Sequence, residues 1–307
     1  MSAKQELFDR LQYLDLTIKE PYLVDNGVGI NNHNGIANLL RKGLGIVAFN
    51  ILEDYIKKRT SEALVTLSSS NVQFTSLPES LQNASIRGAL NSLNSKANML
   101  KKNGGNWQAL IQDEALKIHS TKNPTFQLSD FSLVSSGSNV TDTEIADVIR
   151  AFGITGGWNK LGEVSTKIGS GIPILIQVFK NATSRRHSAA HDATFQYNYG
   201  WLEEIKNDII SISSAFDILL IARNRQINAN YSIPIDNHTI ENALNFRFLE
   251  TVSGTTRYRE TTVISGKARK IWDSLDAALI FLKPRLLAKD EFLIILNEQK
   301  RIIDWHS

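Results

Sequence analysis

The sequence predicts a mainly α-helical protein that carries a small α+β module at its C-terminal end. Apolar residues recur at helical spacing from residue 4 to about residue 225, which is the pattern of helices that bury one face. After that point a short stretch alternates apolar and polar residues around a turn, as strands do. The 307 residues suffice for one large domain or two modest ones. We therefore expect a helical domain over residues 1–225 and an α+β module over residues 226–307.

The first two helices are predicted by the spacing of their apolar residues. Residues 4–19 place apolar side chains at intervals of four, three and four, which indicates an amphipathic helix. After a loop rich in glycine and asparagine, the sequence predicts one long helix from Ile36 to Val65. Gly43 and Gly45 each weaken this helix by about 1 kcal/mol relative to alanine. They either mark a close approach of a neighbouring backbone or are simply tolerated.

Turn and capping signals divide the middle of the chain. Helices are predicted over residues 81–101 and 107–119, with the break "KNGGN" between them. The polar stretch 120–140 predicts an extended connection. Thr141 or Thr143, each followed by an acidic residue, then begins a helix through a capping box.

Two more helices complete the predicted helical domain. Pro173 precedes the apolar run of the first, whose C-terminal end carries "TSRRHSAAHD", residues 183–192. A regular apolar stripe predicts the second from Trp201 to Arg225.

The C-terminal module is predicted from alternation and from apolar runs. Phe246, Phe248 and Tyr258 alternate with polar neighbours on the two sides of "SGTT", which predicts a β-hairpin. Helices are predicted over residues 267–282 and 290–305.

The composition excludes several kinds of chemistry. The chain has no cysteine, which rules out disulfides, thiolate nucleophiles, iron–sulfur clusters and cysteine-type zinc sites. A formal net charge of +3 is too small to identify a nucleic-acid partner by itself. Residues 1–15 lack the apolar run of a signal peptide, and the stretches "IPILIQVF" and "FLIIL" are too short to span a bilayer. We therefore expect a cytoplasmic protein without a membrane partner.

The segment 183–192 concentrates two of the chain's six histidines and two arginines. His187 and His191 are four positions apart and share a helix face, as in zinc-binding helices. The residues between them lack the glutamate of the HExxH motif, and the pattern offers no further ligand. We therefore expect neither a metal nor another cofactor. A second interpretation is that these cations only complement the dipole at a helix C-terminus.

A third interpretation is cleavage of RNA without a metal. That reaction needs a base for the 2′-hydroxyl proton, a cation for the phosphorane and an acid for the leaving oxygen. Histidine titrates near neutral pH, and arginine carries a fork of donors that matches phosphate oxygens. On an ideal helix, Arg186 and His191 point about 140° away from each other. They meet if the helix frays near His191 and the arginine reaches round, or if two copies of the motif complete one cleft across a dimer.

The stretch "RHSAAH", residues 186–191, matches the R-x4–6-H signature of the HEPN superfamily, in which a polar residue usually follows the arginine. The chain is similar to the RiboL-PSP branch, where an arginine pair, a polar residue and a final "AH" end one helix ahead of a loop and an amphipathic helix. The stretch "RKGLGIVAFNILEDYIKKR" also resembles the first long helix of that branch. The resemblance covers about residues 36–224 in outline.

The resemblance implies an HEPN-like helical bundle, a homodimer that brings two motifs together, and metal-independent endoribonuclease activity that leaves a 2′,3′-cyclic phosphate. By the same resemblance Arg186 stabilises the phosphorane, His191 acts as base or acid, and His187 orients them. Counting from Arg185 gives R-x5-H, which the family also allows, so the choice between the two arginines stays open. Many relatives have glycine where this chain has Asp192, which leaves the backbone at the helix end open as well.

The family also implies a biological role in toxin–antitoxin or antiviral defence systems, with RNA as the substrate and an antitoxin or regulatory protein as a further partner. The alternative is a non-catalytic module of the same fold that binds RNA, a nucleotide or a protein. The presence of both Arg186 and His191 favours catalysis, because a site that had lost its activity has no reason to keep both.

Two other groups of residues are candidates to support the site. Glu53 or Asp54 can reach the cleft and orient a histidine, although a surface ion pair between Glu53 and Lys57 is the simpler interpretation. Basic and aromatic side chains of the predicted hairpin can stack on and neutralise single-stranded RNA, although a solvated basic strand face explains them as well. These hairpin candidates are Arg257, Tyr258 and Arg259.

Overall fold

The computed structural model describes residues 1–134, 139–229 and 239–307. The chain forms a helical bundle with a C-terminal sheet that is covered by one further helix, which confirms the predicted fold class. A π-helical segment, Ala84–Gly88, joins the helix of residues 79–83 to that of residues 89–102 without a break. The helices are α1 (Ala3–Ile18), α2 (Asn31–Ser68), α3 (Glu79–Asn83), α4 (Ala89–Lys102), α5 (Trp107–Ser120), α6 (Asp142–Ala151), α7 (Trp158–Lys167), α8 (Leu175–His191), α9 (Tyr199–Ala229) and α10 (Leu275–Leu286). The strands are β1 (Asn245–Thr251), β2 (Tyr258–Thr261), β3 (Lys270–Trp272), β4 (Glu291–Leu296) and β5 (Ile302–His306).

Helix α2 is the central helix of the bundle and packs against α1, α8 and α9. It begins at Asn31, five residues before the predicted start at Ile36. The Asn34 side chain accepts from the N–H of Asn26 and donates to the carbonyl of Gly27. The asparagine- and glycine-rich stretch therefore belongs partly to α2, and Asn34 in its first turn binds the preceding loop.

The two glycines of α2 have different surroundings. A Cβ atom at Gly45 would lie 2.3 Å from the ring of Tyr197, so this position accepts only glycine in the present packing. A Cβ atom at Gly43 would meet nothing within 4 Å among the described residues. A close approach is therefore present at Gly45, but the neighbour is a side chain and not the backbone that was considered from the sequence, and Gly43 fits the alternative that the helix tolerates it.

The region before α8 contains one helix that the sequence analysis did not predict. Of the two candidate starts for α6, Thr141 is the correct one, since its side chain and that of Glu144 form the capping box. The unpredicted helix α7 follows Gly157, whose φ of 50° is accessible to glycine at little cost. The Trp158 indole N–H donates to the carbonyl of Asp142 at 2.8 Å and anchors α7 to the start of α6.

The sheet has the strand order β3-β2-β1-β4-β5. β1 pairs antiparallel with β2, which confirms the predicted hairpin, and parallel with β4. Of the two helices predicted downstream, the first is confirmed only from Leu275, where α10 begins, because residues 270–272 form β3. The second is wrong, since residues 291–306 contain β4 and β5. β4 is buried on both faces, so its apolar run "FLIIL" cannot be distinguished from a buried helix by periodicity.

The sheet and the helices share one hydrophobic core. Phe292, Ile294 and Leu296 of β4 belong to the core of the bundle, whereas Leu293 and Ile295 face α10, as strand alternation requires. The sequence-based boundary at residue 225 falls inside α9, which continues to Ala229.

A buried polar contact fastens β5 to the bundle. Asp217 of α9 accepts from the Trp305 indole N–H at 2.6 Å and from the guanidinium group of Arg59 on α2. All three residues are buried. Three elements far apart in the chain therefore meet at one carboxylate.

Helix α2 is, within the described ranges, long and apolar enough to cross a membrane by length and composition. Half of the qualifying window is buried inside the bundle. The helix also carries the buried polar residues Arg41 and Lys42, which bond to neighbouring loops. These are the properties of a core helix. The expectation that no segment is long enough to span a bilayer was based on uninterrupted apolar runs alone, and by length and composition α2 is an exception to it.

Candidate functional site

The arginine- and histidine-rich segment lies at the C-terminal end of α8, as predicted. The chain stays helical through His191, and Asp192 then adopts extended backbone with a φ of −106°. Any residue adopts this conformation, so glycine is not required at this position. The hydroxyl and the N–H of Thr194 donate to the Asp192 carboxylate at 2.7 and 2.8 Å, which lowers the pKa of that carboxyl group.

A buried lysine of α2 caps the end of α8. The Lys42 ammonium group donates to the carbonyl oxygens of Asp192 and Ala193 at 2.8 and 3.1 Å. A cation at this end of a helix satisfies carbonyl groups and complements the helix dipole. The backbone directly after His191 is therefore held in one place.

Two more polar residues of α2 hold the loop beyond that point. The Asn38 side chain accepts from the N–H of Tyr197 at 2.8 Å and donates to the carbonyl of Phe195 at 3.1 Å. Arg41 donates through Nε to the carbonyl of Tyr197 at 2.7 Å and pairs with Asp25 at 3.0 Å. Neither residue was predicted from the sequence to support the site. Their signal is the placement of polar side chains on the inward face of α2, where apolar ones are expected.

The two histidines of the motif are neighbours on the exposed side of α8. The ring centroids of His187 and His191 are 4.8 Å apart, and the rings are tilted by 52°. Both side chains are exposed. Within residues 1–134, 139–229 and 239–307, no group of three or more histidine and acidic side chains is placed to hold a metal ion. The pair therefore has no third ligand in the described part of the chain.

Arg186 acts electrostatically on a buried carboxylate of α2. Its Nε is buried and has no hydrogen-bond partner among the described residues. Glu53 of α2 is buried and accepts from the N–H of Val140. Burial raises the pKa of Glu53, while the Val140 N–H, Lys57 and Arg186 act in the opposite direction. Glu53 is thus a buried residue whose charge interacts with that of Arg186, and the simpler interpretation, which placed Glu53 at the surface, is wrong.

Asp54 lies on a different side of α2. It forms ion pairs with Arg10 of α1 at 2.6 Å and with Lys58 at 3.1 Å. Its partners are thus on α1 and α2, whereas the electrostatic neighbours of Glu53 include the motif.

Arg185 has its own partners on α9. Its guanidinium carbon is 4.4 Å from the centroid of the Trp201 ring, within the range of a cation–π contact. Trp201 in turn stacks on Phe195, with centroids 6.1 Å apart. Burial raises the pKa of Asp208 to about 6, and the charge of Arg185 opposes that rise. Arg185 is therefore held against α9, whereas the Nε of Arg186 is unpaired within the described residues.

The motif side chains of one chain do not all share one side of α8. The helix is regular through His191, so the fraying considered from the sequence is not observed. The Nε of Arg186 is buried, whereas the side chains of His187 and His191 are exposed. A phosphate that contacts both kinds of group thus requires Arg186 to reach round the helix or a second copy to contribute.

The hairpin candidates have contacts within the C-terminal module. Arg259 forms an ion pair at 2.6 Å with Glu250, which is fully buried. Arg257 is exposed and lies 3.5 Å from Asp273. Tyr258 packs at the edge of the cluster beneath α10. Arg259 thus has a structural ion pair, and Arg257 is the more accessible cation of the two.

Comparison with known proteins assigns the family. No curated protein matches the chain, and no solved structure matches it either. The family model RiboL-PSP-HEPN matches residues 9–222, which include most of α1, all of α2 to α8 and most of α9. The matched region contains the whole arginine- and histidine-rich segment, and it supports an RNA-related role. The chain belongs to the RiboL-PSP-HEPN family.

Proposed function

We propose that this protein is a metal-independent endoribonuclease whose site is the end of α8. The observation that carries the proposal is the pair of exposed imidazoles, 4.8 Å apart, on a helix end that α2 holds in place. Arg186 adds a guanidinium group with an unpaired Nε on the neighbouring side of the same helix. The family match over this region supports the assignment.

In the proposed reaction the RNA supplies its own nucleophile. The base, His191 or its counterpart in a second copy, takes the proton of the 2′-hydroxyl, and the 2′-oxygen attacks the adjacent phosphorus. Arg186 binds the phosphorane oxygens, and His187 orients the reacting groups. The bond from phosphorus to the 5′-oxygen breaks, and that oxygen takes a proton from an imidazolium. The products are a 2′,3′-cyclic phosphate and a 5′-hydroxyl end.

An exposed apolar stripe on α2 supports a homodimer. Four side chains at helical spacing on its N-terminal half are exposed by 44% or more. The same half of α2 holds the loop after His191, so stripe and motif lie at the same end of the bundle. Docking of a second copy through this stripe brings two motifs toward one cleft and supplies the groups that a single α8 presents on different sides. The stripe consists of Ile36, Leu39, Leu40 and Val47.

The biological role that fits this activity is a cytoplasmic toxin or antiviral effector. A nuclease of this kind harms its own cell unless it is restrained, so an antitoxin or a regulatory protein belongs to the proposal. Its support is the resemblance to the family.

Purified protein and labelled RNA in EDTA test the proposal. We expect cleavage to 2′,3′-cyclic phosphate ends, and a loss of about 100-fold or more in Arg186→Ala and His191→Ala. Arg87→Ala and His119→Ala are matched controls, because both side chains are exposed and lie on helical segments other than α8. Full activity in both motif variants contradicts the assigned site. Absence of cleavage by the unchanged protein on every RNA tested favours a non-catalytic binding module.

A further inference from the structure

The C-terminal module contains a basic pocket that the proposed reaction does not use. Its volume is about 320 Å³, and it lies between β3, α10 and the adjoining strands. This size is at the lower end for small-ligand sites. Five cations and two carboxylates line the pocket, so its lining alone equals the formal net charge of +3 of the whole chain. The cations are Arg247, Arg269, Lys270, Arg285 and Lys289.

Both carboxylates of the lining are engaged by one buried arginine. Arg247 donates to the two carboxylate oxygens of Glu291 at 2.9 and 2.7 Å and to a carboxylate oxygen of Glu260. The Trp272 indole N–H donates to the other oxygen of Glu260 at 3.0 Å. The acidic groups thus form with Arg247 a closed network whose formal charge is −1, and the other four cations leave the lining with a net charge of +3.

Those four cations form the accessible rim of the pocket. Each is exposed, and none forms an ion pair with a described residue. The guanidinium carbon of Arg285 lies 3.4 Å from the centroid of the Phe281 ring, and the Lys270 ammonium lies 3.6 Å from that of Trp272. These two cations are therefore positioned by aromatic rings before any ligand arrives, which lowers the entropy lost on binding.

The chemistry of the rim selects a ligand with several phosphates and with flat rings. Unpaired cations bind phosphodiesters, and a guanidinium group held over an aromatic ring can also stack on a nucleobase. We propose that this pocket is a binding site for single-stranded RNA, with phosphates at Arg269 and Lys289 and a base stacked near Arg285. The proposal rests on the proposed function, since it takes the substrate of the α8 site as its ligand. It assigns RNA capture to the C-terminal module and cleavage to the bundle.

Binding is measurable without cleavage, which keeps the two proposals separate. In the full chain carrying His191→Ala, fluorescence anisotropy with a labelled single-stranded RNA reports affinity over a series of salt concentrations. We expect Arg269→Glu with Lys289→Glu to weaken binding by about 10-fold or more, and to lower the slope of log affinity against log salt by about 1.4 for two lost phosphate contacts. Arg285→Ala is expected to weaken binding by about 5- to 100-fold through the lost stacking.

A control with the same change of charge identifies the location of the effect. Arg87→Glu with Lys96→Glu reverses an arginine and a lysine that are exposed on the helix of residues 79–102. Equal affinity of the two double variants overturns the proposal, because charge alone then explains the loss. Competition by inorganic phosphate or a nucleoside monophosphate as effective as that by RNA also overturns it, since the pocket then serves a small ligand. Loss of binding in the pocket variants with retention in the control supports the proposal even if no RNA is cleaved.

Discussion

Lys42 of α2 donates a hydrogen bond to the main-chain carbonyl of Asp192, the residue that directly follows the motif. The lysine is buried, and its second bond goes to Ala193. One side chain of the bundle core therefore fixes the backbone from which the exposed imidazole of His191 extends.

Replacing Lys42 should lower the activity although the lysine is not part of the motif. We expect Lys42→Met to lower the free energy of unfolding by about 1–3 kcal/mol, because two carbonyl groups lose a charged donor. RNA cleavage should fall by about 10- to 100-fold through misplacement of the loop. Cleavage assays and urea unfolding measure both effects, with the exposed Lys96→Met as control. Unchanged cleavage in Lys42→Met would show that the loop position is irrelevant to the activity.

The contact between Gly45 and Tyr197 predicts a steric defect. In Gly45→Ala the added methyl group meets the tyrosine ring at 2.3 Å, so helix or ring must shift. We expect a loss of about 1–3 kcal/mol in stability despite the higher helix propensity of alanine. Gly35→Ala on the same helix is the control, since its Cβ meets nothing within 4 Å. Equal melting temperatures of the two variants would contradict the close packing.

Asp208 predicts a pH dependence of stability. Its pKa is about 6 in the folded protein against an ordinary value of 3.8, so the folded state retains a proton that the unfolded state loses. Stability should therefore fall as pH rises from about 4 to about 6 and stay level above that. Asp208→Asn should flatten this curve and add about 1–3 kcal/mol to the free energy of unfolding at pH 7.5, since the raised pKa already includes the opposing charge of Arg185. Denaturant unfolding at several pH values tests this, and Asp113→Asn, at an exposed site, should leave the curve unchanged.

The α2 stripe predicts which substitution separates the proposed dimer. Leu39→Asp places a charge in an apolar contact, and we expect a monomer at micromolar concentration with cleavage reduced about 10-fold or more. Leu116→Asp is a close control, because both leucines are 69% exposed. Light scattering gives the mass of each variant. A monomeric unchanged protein, or equal behaviour of both variants, contradicts the proposed interface.

The sequence predicted well the helices that are set by the local spacing of apolar residues. It predicted poorly the elements whose burial depends on segments distant in the chain. The stripes of α1, α2 and α9 follow from local spacing, and the position of the motif at the end of α8 follows from the apolar run before it. β4 was taken for a helix because its burial on both faces comes from β1 and the helices on either side.

The candidate site shows the same division. The R-x4-H spacing of Arg186 and His191 is visible in the sequence, and so is the pair of histidines on one face. The burial of Glu53 and the bond of Lys42 to the loop depend on how α2 and α8 pack, which no local pattern contains. The basic pocket joins residues of β1, β3 and α10, so only the folded sheet brings its cations together.

Helix α2 carries one polar contact to the loop after α8 and another to the carboxylate that binds the sheet. Lys42 touches the segment after His191, and Arg59 holds the carboxylate that also receives Trp305 of the sheet. Seventeen residues separate these contacts, a distance of about 26 Å along an uninterrupted helix. A tilt of about 5° at one contact thus displaces the other by about 2 Å. A displacement of the sheet therefore shifts the backbone next to His191 through α2.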